Sequence, residues 1–243
     1  MPTNALVMIR PDYELVTRYG ASWQTQIINA TGGSGLSVND LYGPEATRAN
    51  FEQAIASSDP ILVNILGHGN NDLIVCQNSE NLLQSGVNDD ILSGRVVYDL
   101  SCQSGGGLGA SAFNKGAISF LGYTEDFWIC FTEGDHPDGG MSNPLNDELA
   151  RGFFESHNVA PISYIQGSTI PASYSASQNT SNYWINVWEQ IDSQVASLLV
   201  WNRDYQILHY GGEPGEPEAP TGGILPGLLM FAPLLLVPTL QKK

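Results

Sequence analysis

The chain has 243 residues, of which 42% are hydrophobic, enough to bury one sizeable core but too few for two full domains. Lys and Arg number 9 against 25 Asp and Glu, and the resulting net charge of -16 excludes nucleic acid as a first choice of partner. Its three cysteines form no CxxC pair and have no histidine at metal-ligand spacing, so neither a disulfide framework nor a zinc site is indicated.

Strands and helices alternate in the predicted secondary structure. In chain order, the pattern predicts a strand over residues 5–9, a helical stretch to about residue 28, a helix over 47–56, strands over 61–66 and 96–100, a short helix over 107–114, a strand over 117–122, helices over 143–157 and 182–201, and an edge strand within 201–211. This alternation is typical of an α/β fold in which a mostly parallel sheet carries helices on both faces. Such sheets bind ligands beyond the carboxyl ends of their strands.

The C-terminal part of the chain differs in composition from the predicted domain, residues 1–212. Residues 213–222 are rich in Pro, Gly and Glu and predict an extended linker. Residues 223–241 form an apolar tail close to the ~20 residues that cross a bilayer, although its prolines would each remove a helix hydrogen bond. We expect a transmembrane or membrane-associating segment, with a segment packed on the domain as the alternative. The closing lysines and a start without an export-signal pattern leave the side of the membrane open.

Two reactive side chains follow two of the predicted strands. The run ILVNILGHGNN ends its strand just before His68, and RVVYDLSCQSGGG ends its strand just before Cys102. Neighbouring parallel strands lie about 5 Å apart, so side chains just beyond their carboxyl ends can meet. A cysteine nucleophile is mostly protonated at neutral pH and needs an imidazole as its base, which later protonates the leaving amine. The pattern therefore predicts Cys102 as the nucleophile and His68 as the general base and acid.

Glycines accompany both residues. Gly69 lets a substrate carbonyl approach the backbone, and its amide together with that of Cys102 predicts an oxyanion hole. Taken alone, His68 would be read as a surface or capping residue and Cys102 as a buried apolar filler. Because they follow two separate apolar strands, a catalytic role is favoured for both residues.

The two blocks resemble the signature blocks of the caspase-like clan of cysteine peptidases. Within that clan, LSCQSGGGLGASAFNKGAISFLGY is most similar to CHAT and gingipain-like members, in which a short helix and a strand follow the cysteine block. The resemblance covers about residues 47–126. It implies a caspase-like three-layer sandwich and an endopeptidase with a Cys-His dyad, whose mechanism uses no metal or organic cofactor.

The resemblance also implies an acidic pocket for the substrate. Metacaspases place an Asp two residues before the cysteine, within a pocket for basic side chains, whereas here the acid is Asp99, three residues before Cys102. A shift of one residue on a strand reverses the side-chain face. Glu125 and Asp126, after the next predicted strand, are therefore alternative acids. Any of the three would favour Arg or Lys before the scissile bond of a protein or peptide substrate.

Two other functions stay open. One is a catalytically silent caspase-like binding module or membrane-tethered scaffold whose cleft holds a partner, and the other is a different thiol hydrolase or transferase. Proteins that resemble this domain are often activated by processing or by a companion protein, so a regulatory partner is also expected. The remaining Cys and His residues are expected to be structural, including His136 in a solvated turn: Cys76, Cys130, His136, His157 and His209.

Overall fold

A six-stranded sheet forms the centre of the computed structural model, which describes residues 3–211. The sheet order is β2-β1-β3-β7-β8-β9, with the first five strands parallel and β9 antiparallel to β8. A separate antiparallel sheet joins β4, β5 and β6. The strands are β1 (Thr3–Arg10), β2 (Ser37–Tyr42), β3 (Pro60–Leu66), β4 (His68–Asn70), β5 (Leu73–Val75), β6 (Asn81–Gln84), β7 (Val96–Leu100), β8 (Ser119–Tyr123) and β9 (Gln206–Tyr210).

Helices cover both faces of the large sheet. They are α1 (Leu15–Trp23), α2 (Thr25–Ala30), α3 (Arg48–Ser58), α4 (Gly107–Asn114), α5 (Glu148–Ile165), α6 (Ile170–Glu189) and α7 (Ser193–Asp204). On one face, Phe51 of α3 and Leu108 of α4 belong to the same buried cluster as Val63 of β3. On the other face, Tyr164 of α5 belongs to the cluster of Leu62, the preceding residue of β3. The three-layer α/β arrangement that the sequence predicts is therefore present.

The central strands explain why this fold forms. All seven residues of β3 and all five of β7 are buried. Successive side chains point to opposite faces, so a strand covered on both sides is apolar along nearly its whole length rather than at alternate positions. Each fully buried aliphatic side chain contributes roughly 1.5–3 kcal/mol. These two strands fix the centre of the sheet, and with it the edge at which their following loops meet.

Several helix boundaries differ from those that the sequence predicts. The stretch to residue 28 consists of two helices, α1 and α2, and the helix predicted over 143–157 runs from Glu148 to Ile165. The helix predicted over 182–201 is wrong, because two helices, α6 and α7, occupy this region. Asp192 lies between them and accepts a hydrogen bond from the backbone N–H of Gln194, so it starts a new helix.

Short elements were also missed. The sequence pattern predicts no element between residues 67 and 95, where the small sheet of β4, β5 and β6 lies. Its strands are too short and too polar to show an alternating pattern, yet Ile74, Leu82 and Leu83 are fully buried against the large sheet. The edge strand β2 was missed for the same reason.

The predicted linker and apolar tail, residues 213–222 and 223–241, lie outside the described residues. Within residues 3–211, none of the helices combines the length and the apolar character that crossing a bilayer requires.

Candidate active site

Segments from four strands meet at the carboxyl edge of the large sheet. β3 and β7 are neighbours, and Leu66 pairs with Leu100 in their register, so both strands end at the same level. His68 follows the first of them and Cys102 the second. β1 flanks β3 and β8 flanks β7, so the loops after these outer strands reach the same edge.

The backbones that carry His68 and Cys102 are in direct contact. The N–H of Gly67 donates to the carbonyl oxygen of Leu100 at 3.3 Å. A Cβ added to Gly69 would lie 2.5 Å from the carbonyl oxygen of Cys102, closer than a real side chain approaches, so this contact requires glycine. The structure thus brings together the two loops that carry His68, Gly69 and Cys102.

A carboxylate absent from the predicted site, that of Glu14, contacts His68. The Nε2 atom of His68 lies 3.2 Å from Oε1 of Glu14. The ring of Tyr13 packs edge-on against the imidazole ring, with 6.3 Å between the two centroids. Both members of the pair are half-buried, with 42% of the His68 side chain and 35% of the Glu14 side chain exposed. Glu14 is the N-cap of α1 and also accepts hydrogen bonds from the backbone of Val16 at 3.1 Å and Thr17 at 2.8 Å. Its position is therefore fixed independently of the imidazole.

The sequence does contain one signal for Glu14. Glu14 lies near the start of the predicted helical stretch, where a capping side chain is expected, and Thr17 three residues later completes a reciprocal cap. The signal indicates a cap but not a contact with His68. That contact depends on β1 lying beside β3, which only the sheet order reveals.

The contact between His68 and Glu14 shifts the pKa of both groups. The hydrogen bond to Glu14 raises the pKa of His68 above its ordinary 6.5, burial opposes this, and the negative charge of Glu14 adds to the rise. Burial by itself would raise the pKa of Glu14, but the hydrogen bonds from His68 and from the backbone of Thr17 and Val16 outweigh it and lower this pKa from 4.5 to about 2. Glu14 is therefore a carboxylate at neutral pH, and His68 binds a proton more tightly than an isolated histidine.

Cys102 lies in a tight turn directly after β7. The next residue, Gln103, has a positive φ of 58°, which is uncommon for a residue other than glycine. Burial raises the pKa of the thiol, a backbone hydrogen bond from Phe127 lowers it, and the negative charges of Asp126 and Asp99 raise it again. The net shift is upward. The thiol is therefore protonated at neutral pH, and reaction requires a base that removes its proton.

The predicted dyad is adjacent rather than hydrogen-bonded. Among the hydrogen bonds within residues 3–211, the His68 ring bonds to Glu14 and none joins it to the sulfur of Cys102. Catalytic hydrogen bonds are often long in an unliganded enzyme and shorten when substrate binds. The backbones of Gly69 and Cys102 are nevertheless in contact, so the two loops lie side by side at this edge of the sheet.

Asp99 lies beneath the Cys102 turn. Its side chain is fully buried, Oδ1 accepts from the hydroxyl of Ser101 at 2.8 Å, and Oδ2 accepts from the hydroxyl of Ser104. Burial raises the pKa of Asp99 to about 7, although the hydrogen bonds from Ser104 and Ser101 act in the opposite direction. The carboxyl group therefore fastens both ends of the turn, and its burial keeps it from contact with a substrate side chain.

Glu125 and Asp126, the other two acids proposed for a pocket, are exposed beside the same turn. The N–H of Gln103 donates to the carbonyl oxygen of Glu125 at 3.0 Å, and its side-chain amide donates to Oδ1 of Asp126 at 2.8 Å. From the other side, the indole N–H of Trp201 in α7 donates to the backbone oxygen of Asp126 at 3.0 Å. The loop after β8 is thus held between the Cys102 turn and α7, with two carboxylates at the surface.

The other Cys and His residues have contacts of their own. Burial raises the pKa of Cys76 to about 12 and lowers the pKa of His157 to about 3. Within the described part of the chain, no three His, Cys, Asp or Glu side chains are grouped so that they could hold a metal ion. The histidine contacts are His136 with Asp138 at 2.8 Å, His157 with the hydroxyl of Tyr123 at 3.1 Å, and His209 with the carbonyl oxygen of Gly105 at 2.7 Å.

Comparisons with known proteins address the fold. No protein-family model and no curated protein matches the sequence. Among solved structures, the chain is similar to the complex of Porphyromonas gingivalis RgpB pro- and mature domains, with a TM-score of 0.54 and 11% identity over 84% of this chain and 46% of that one. It is also similar to the Arg-specific cysteine proteinase gingipain R (RgpB), with a TM-score of 0.47 and 13% identity over 88% of this chain and 46% of that one. The chain therefore spans about half the length of the structures it matches. The first similarity shows that the described residues have the caspase-like fold of gingipain R.

Proposed function

We propose that the protein is a cysteine endopeptidase that hydrolyses peptide bonds through Cys102 and His68. The observation that carries this proposal is the contact between the two loops: Gly69, next to His68, lies against the backbone of Cys102 at the carboxyl ends of neighbouring strands. Ligands of parallel α/β sheets bind at this edge. The gingipain-like fold supports the same reaction class.

The proposed reaction uses the thiol and the imidazole in two stages. His68 takes the proton of the Cys102 thiol, and the thiolate attacks the scissile carbonyl carbon to form a tetrahedral oxyanion. The amides of Gly69 and Cys102 are proposed to bind that oxyanion. The carbon–nitrogen bond then breaks, His68 gives its proton to the departing amine, and a thioester remains on Cys102. In the second stage His68 removes a proton from water, which attacks the thioester, releases the new carboxyl group and restores the thiol.

In the proposed mechanism, Glu14 determines which role each ring nitrogen of His68 has. Because Nε2 faces the carboxylate at 3.2 Å, it carries the proton of that hydrogen bond, and Nδ1 is the nitrogen that exchanges a proton with the thiol. The carboxylate also favours the imidazolium that forms after the proton is taken up, since it raises the pKa of His68 through their hydrogen bond. Glu14 thus acts on His68 rather than on the substrate.

We further propose a preference for Arg or Lys before the scissile bond. The described residues contain seven Lys and Arg side chains, because Lys242 and Lys243 of the total of 9 lie outside them. Within this part of the chain all seven are paired with carboxylates: Arg10 with Asp40, Arg18 with Asp138, Arg48 with Glu52, Arg95 with Asp59, Lys115 with Asp89, Arg151 with Glu148 and Glu155, and Arg203 with Asp204.

This pairing favours a cationic substrate over an anionic one. An acidic substrate side chain would find no unpaired Lys or Arg among residues 3–211 and would face the exposed carboxylates of Glu125 and Asp126. A basic side chain would be attracted by the same two groups. We therefore assign the substrate preference to the loop after β8 and not to the buried Asp99.

Two further parts of the proposal concern partners. One of the similar structures is a complex of pro- and mature domains of RgpB, which supports the expectation that a second protein segment regulates this chain.

We also propose that residues 223–241 attach the domain to a membrane. Flotation of the full chain with liposomes, compared with a chain ending at residue 212, tests the attachment. Flotation of both chains, or of neither, would contradict it.

Labelling with a peptidyl electrophile tests the catalytic assignment. A probe with Arg at the position before the electrophile is expected to add once to the protein, at Cys102, whereas the matching probe with Asp reacts more slowly. Cys102→Ala is expected to abolish labelling, while the control Cys130→Ala labels at the parent rate. Unchanged labelling of Cys102→Ala would refute the proposed nucleophile.

A further inference from the structure

The turn between β4 and β5 contacts both loops of the candidate active site. His68 begins the hairpin, and in it Asn70 pairs with Leu73. The N–H of Asp72 donates to Oδ1 of Asn70 at 2.9 Å, which fixes the shape of the turn. Asn71 is at the tip of this turn, so its position is linked to that of His68 through a short, hydrogen-bonded piece of chain.

Asn71 accepts two hydrogen bonds from the start of α4. Its side-chain Oδ1 accepts from the N–H of Gly107 at 2.9 Å, and its backbone oxygen accepts from the N–H of Leu108 at 2.7 Å. The first N–H groups of a helix have no partner within the helix, and here the N-cap residue, Gly106, supplies no side-chain acceptor. The cap of α4 therefore comes from the hairpin that carries His68.

The glycines after Cys102 make this contact possible. A Cβ on Gly106 would lie 2.7 Å from Oδ1 of Asn71, and one on Gly107 would lie 2.6 Å from the backbone oxygen of Asn71. Both distances are too short for a real side chain. The glycine run thus provides space for the tip of the hairpin.

α4 is in turn bonded to the nucleophile turn. The N–H of Gly109 donates to the carbonyl oxygen of Ser104 at 2.8 Å, and the N–H of Gly106 donates to that of Gln103 at 3.1 Å. A displacement at the start of α4 is therefore transmitted to the turn that holds Cys102. The hairpin touches the Cys102 segment at two places, through Gly69 at its base and through Asn71 at its tip.

We propose that Asn71 is a positioning residue that fixes the separation between the imidazole of His68 and the thiol of Cys102. It acts through Gly107 and the first turn of α4. With both contacts of the hairpin made, the two loops are held as one unit. A misplacement of about 1 Å between reacting groups can lower a rate by roughly 10²-fold, so this contact matters for catalysis although it is remote from the reacting atoms. The catalytic consequence rests on the proposed function, whereas the geometric one does not.

The test compares Asn71→Ala with a matched variant. Asn71→Ala removes the side-chain acceptor of Gly107 and the side-chain donor to Oδ1 of Asp72 at 3.1 Å, and leaves the backbone bond to Leu108. Asn143 is an exposed asparagine that also accepts a backbone N–H, that of Leu145 at 3.2 Å, at a different loop, so Asn143→Ala is the control. Asn71→Asp retains an oxygen that can accept from Gly107 and serves as the rescue, measured at high salt because its second oxygen faces Oδ1 of Asp72. If Asn71→Ala does not fold, Asn71→Ser takes its place and the same alkylation profile is expected of it.

The primary measurement is the rate of Cys102 alkylation by iodoacetamide as a function of pH, followed by mass spectrometry of the peptide that contains Cys102. In the parent, titration of His68 is expected to produce an inflection in the plot of alkylation rate against pH. Asn71→Ala is expected to lose this inflection and to give the same profile as His68→Ala, while Asn71→Asp and Asn143→Ala give the parent profile. The kcat of Asn71→Ala on a peptide substrate is expected to fall by about tenfold or more with KM within twofold.

A folded Asn71→Ala protein with the parent alkylation profile would overturn the inference. Alkylation needs no peptidase activity, so the two proposals are separable. If the parent hydrolyses no peptide but Asn71→Ala still changes the alkylation profile, the proposed function fails and the positioning role stands.

Discussion

The Nε2 atom of His68 and the Oε1 atom of Glu14 lie 3.2 Å apart, although the two residues follow different strands of the sheet. The hydrogen bond raises the pKa of His68, while burial opposes the rise. As a general base His68 must be neutral, so this contact moves the acid limb of the activity profile to higher pH.

Glu14→Gln is therefore expected to shift that acid limb to lower pH. The substitution retains a side chain of the same length but removes the negative charge that favours the imidazolium. The measurement is kcat/KM against pH for one peptide substrate. Glu52→Gln is the control, because Glu52 pairs with Arg48 on α3 and has no contact with His68. An acid limb that stays in place, or moves upward, would contradict the role given to Glu14.

The same pair predicts how stability depends on pH. The pKa of Glu14 is lowered from 4.5 to about 2, so its contribution to the free energy of unfolding is present above pH 4.5 and is lost as the pH falls toward 2. The Tm difference between the parent and Glu14→Gln should shrink across that interval. Both side chains are partly exposed, so the effect is screened by salt and decreases at high ionic strength. A difference that stays constant from pH 6 to pH 2 would contradict the prediction.

Asp99→Asn is expected to make the protein more stable toward alkaline pH. Burial raises the pKa of Asp99 from 3.8 to about 7, so the folded state holds a proton that the unfolded state releases. The free energy of unfolding therefore falls as pH rises between these values, by up to about 1.4 kcal/mol per pH unit. The asparagine variant lacks this slope. Urea unfolding at several pH values measures the effect, and Asp90→Asn is the exposed control.

The same variant is expected to lower the pKa of the Cys102 thiol. Burial is the main cause of the raised thiol pKa, and the charge of Asp99 adds to it. Removal of that charge should move the alkylation profile of Cys102 to lower pH. An asparagine can accept from one serine hydroxyl through its oxygen and donate to the oxygen of the other through its amide, so the turn is expected to persist. An upward shift would show that the turn, rather than the charge, controls the thiol.

Gly69→Ala is expected to separate the loops that carry His68 and Cys102. Its new Cβ would lie 2.5 Å from the carbonyl oxygen of Cys102, so the backbones must move apart. Overpacking of this kind lowers the free energy of unfolding by about 1–3 kcal/mol. The kcat of the folded variant should fall as well, because the reacting groups are displaced. Gly211→Ala is the control, because its Cβ would lie 3.4 Å from the ring of Phe113. Parent activity in Gly69→Ala would show that the close approach is dispensable.

The substrate preference is tested by the two exposed acids. Asp126→Asn and Glu125→Gln are each expected to reduce the ratio of kcat/KM for an Arg peptide to that for a Gln peptide, by about fivefold for the acid nearer the bound cation. Their effects should diminish at high salt, because exposed charges are screened. Glu133→Gln is the control. An unchanged ratio in both variants would remove this loop from substrate selection.

The sequence predicts the centre of this fold better than its periphery. β3 and β7 are long apolar runs buried on both faces, and such runs need no tertiary information to be recognised. Because the two strands are also neighbours, the loops of His68 and Cys102 meet where the sequence indicated. The strands β4, β5 and β6 carry no comparable pattern, so the hairpin that bears His68 was missed.

The sequence does not predict side-chain roles that depend on the order of strands in the sheet or on how deeply a side chain is buried. Glu14 reaches His68 only because β1 lies beside β3. The position of Asp99 before Cys102 leaves open whether its side chain faces a pocket, and in the structure the turn folds over it and two serines bind its carboxyl group. A linear pattern gives the spacing along a strand and does not say which side chain the following loop covers.

The most direct test of the central claim is detection of the thioester itself. A peptide or peptide ester with Arg before the scissile bond is mixed with the protein, quenched in acid within one turnover and analysed by intact and peptide mass spectrometry. The proposed mechanism predicts an acyl group on Cys102, absent in Cys102→Ala and formed much more slowly in His68→Ala. Turnover of the peptide by Cys102→Ala at the parent rate, or an acyl group on another residue, would contradict it.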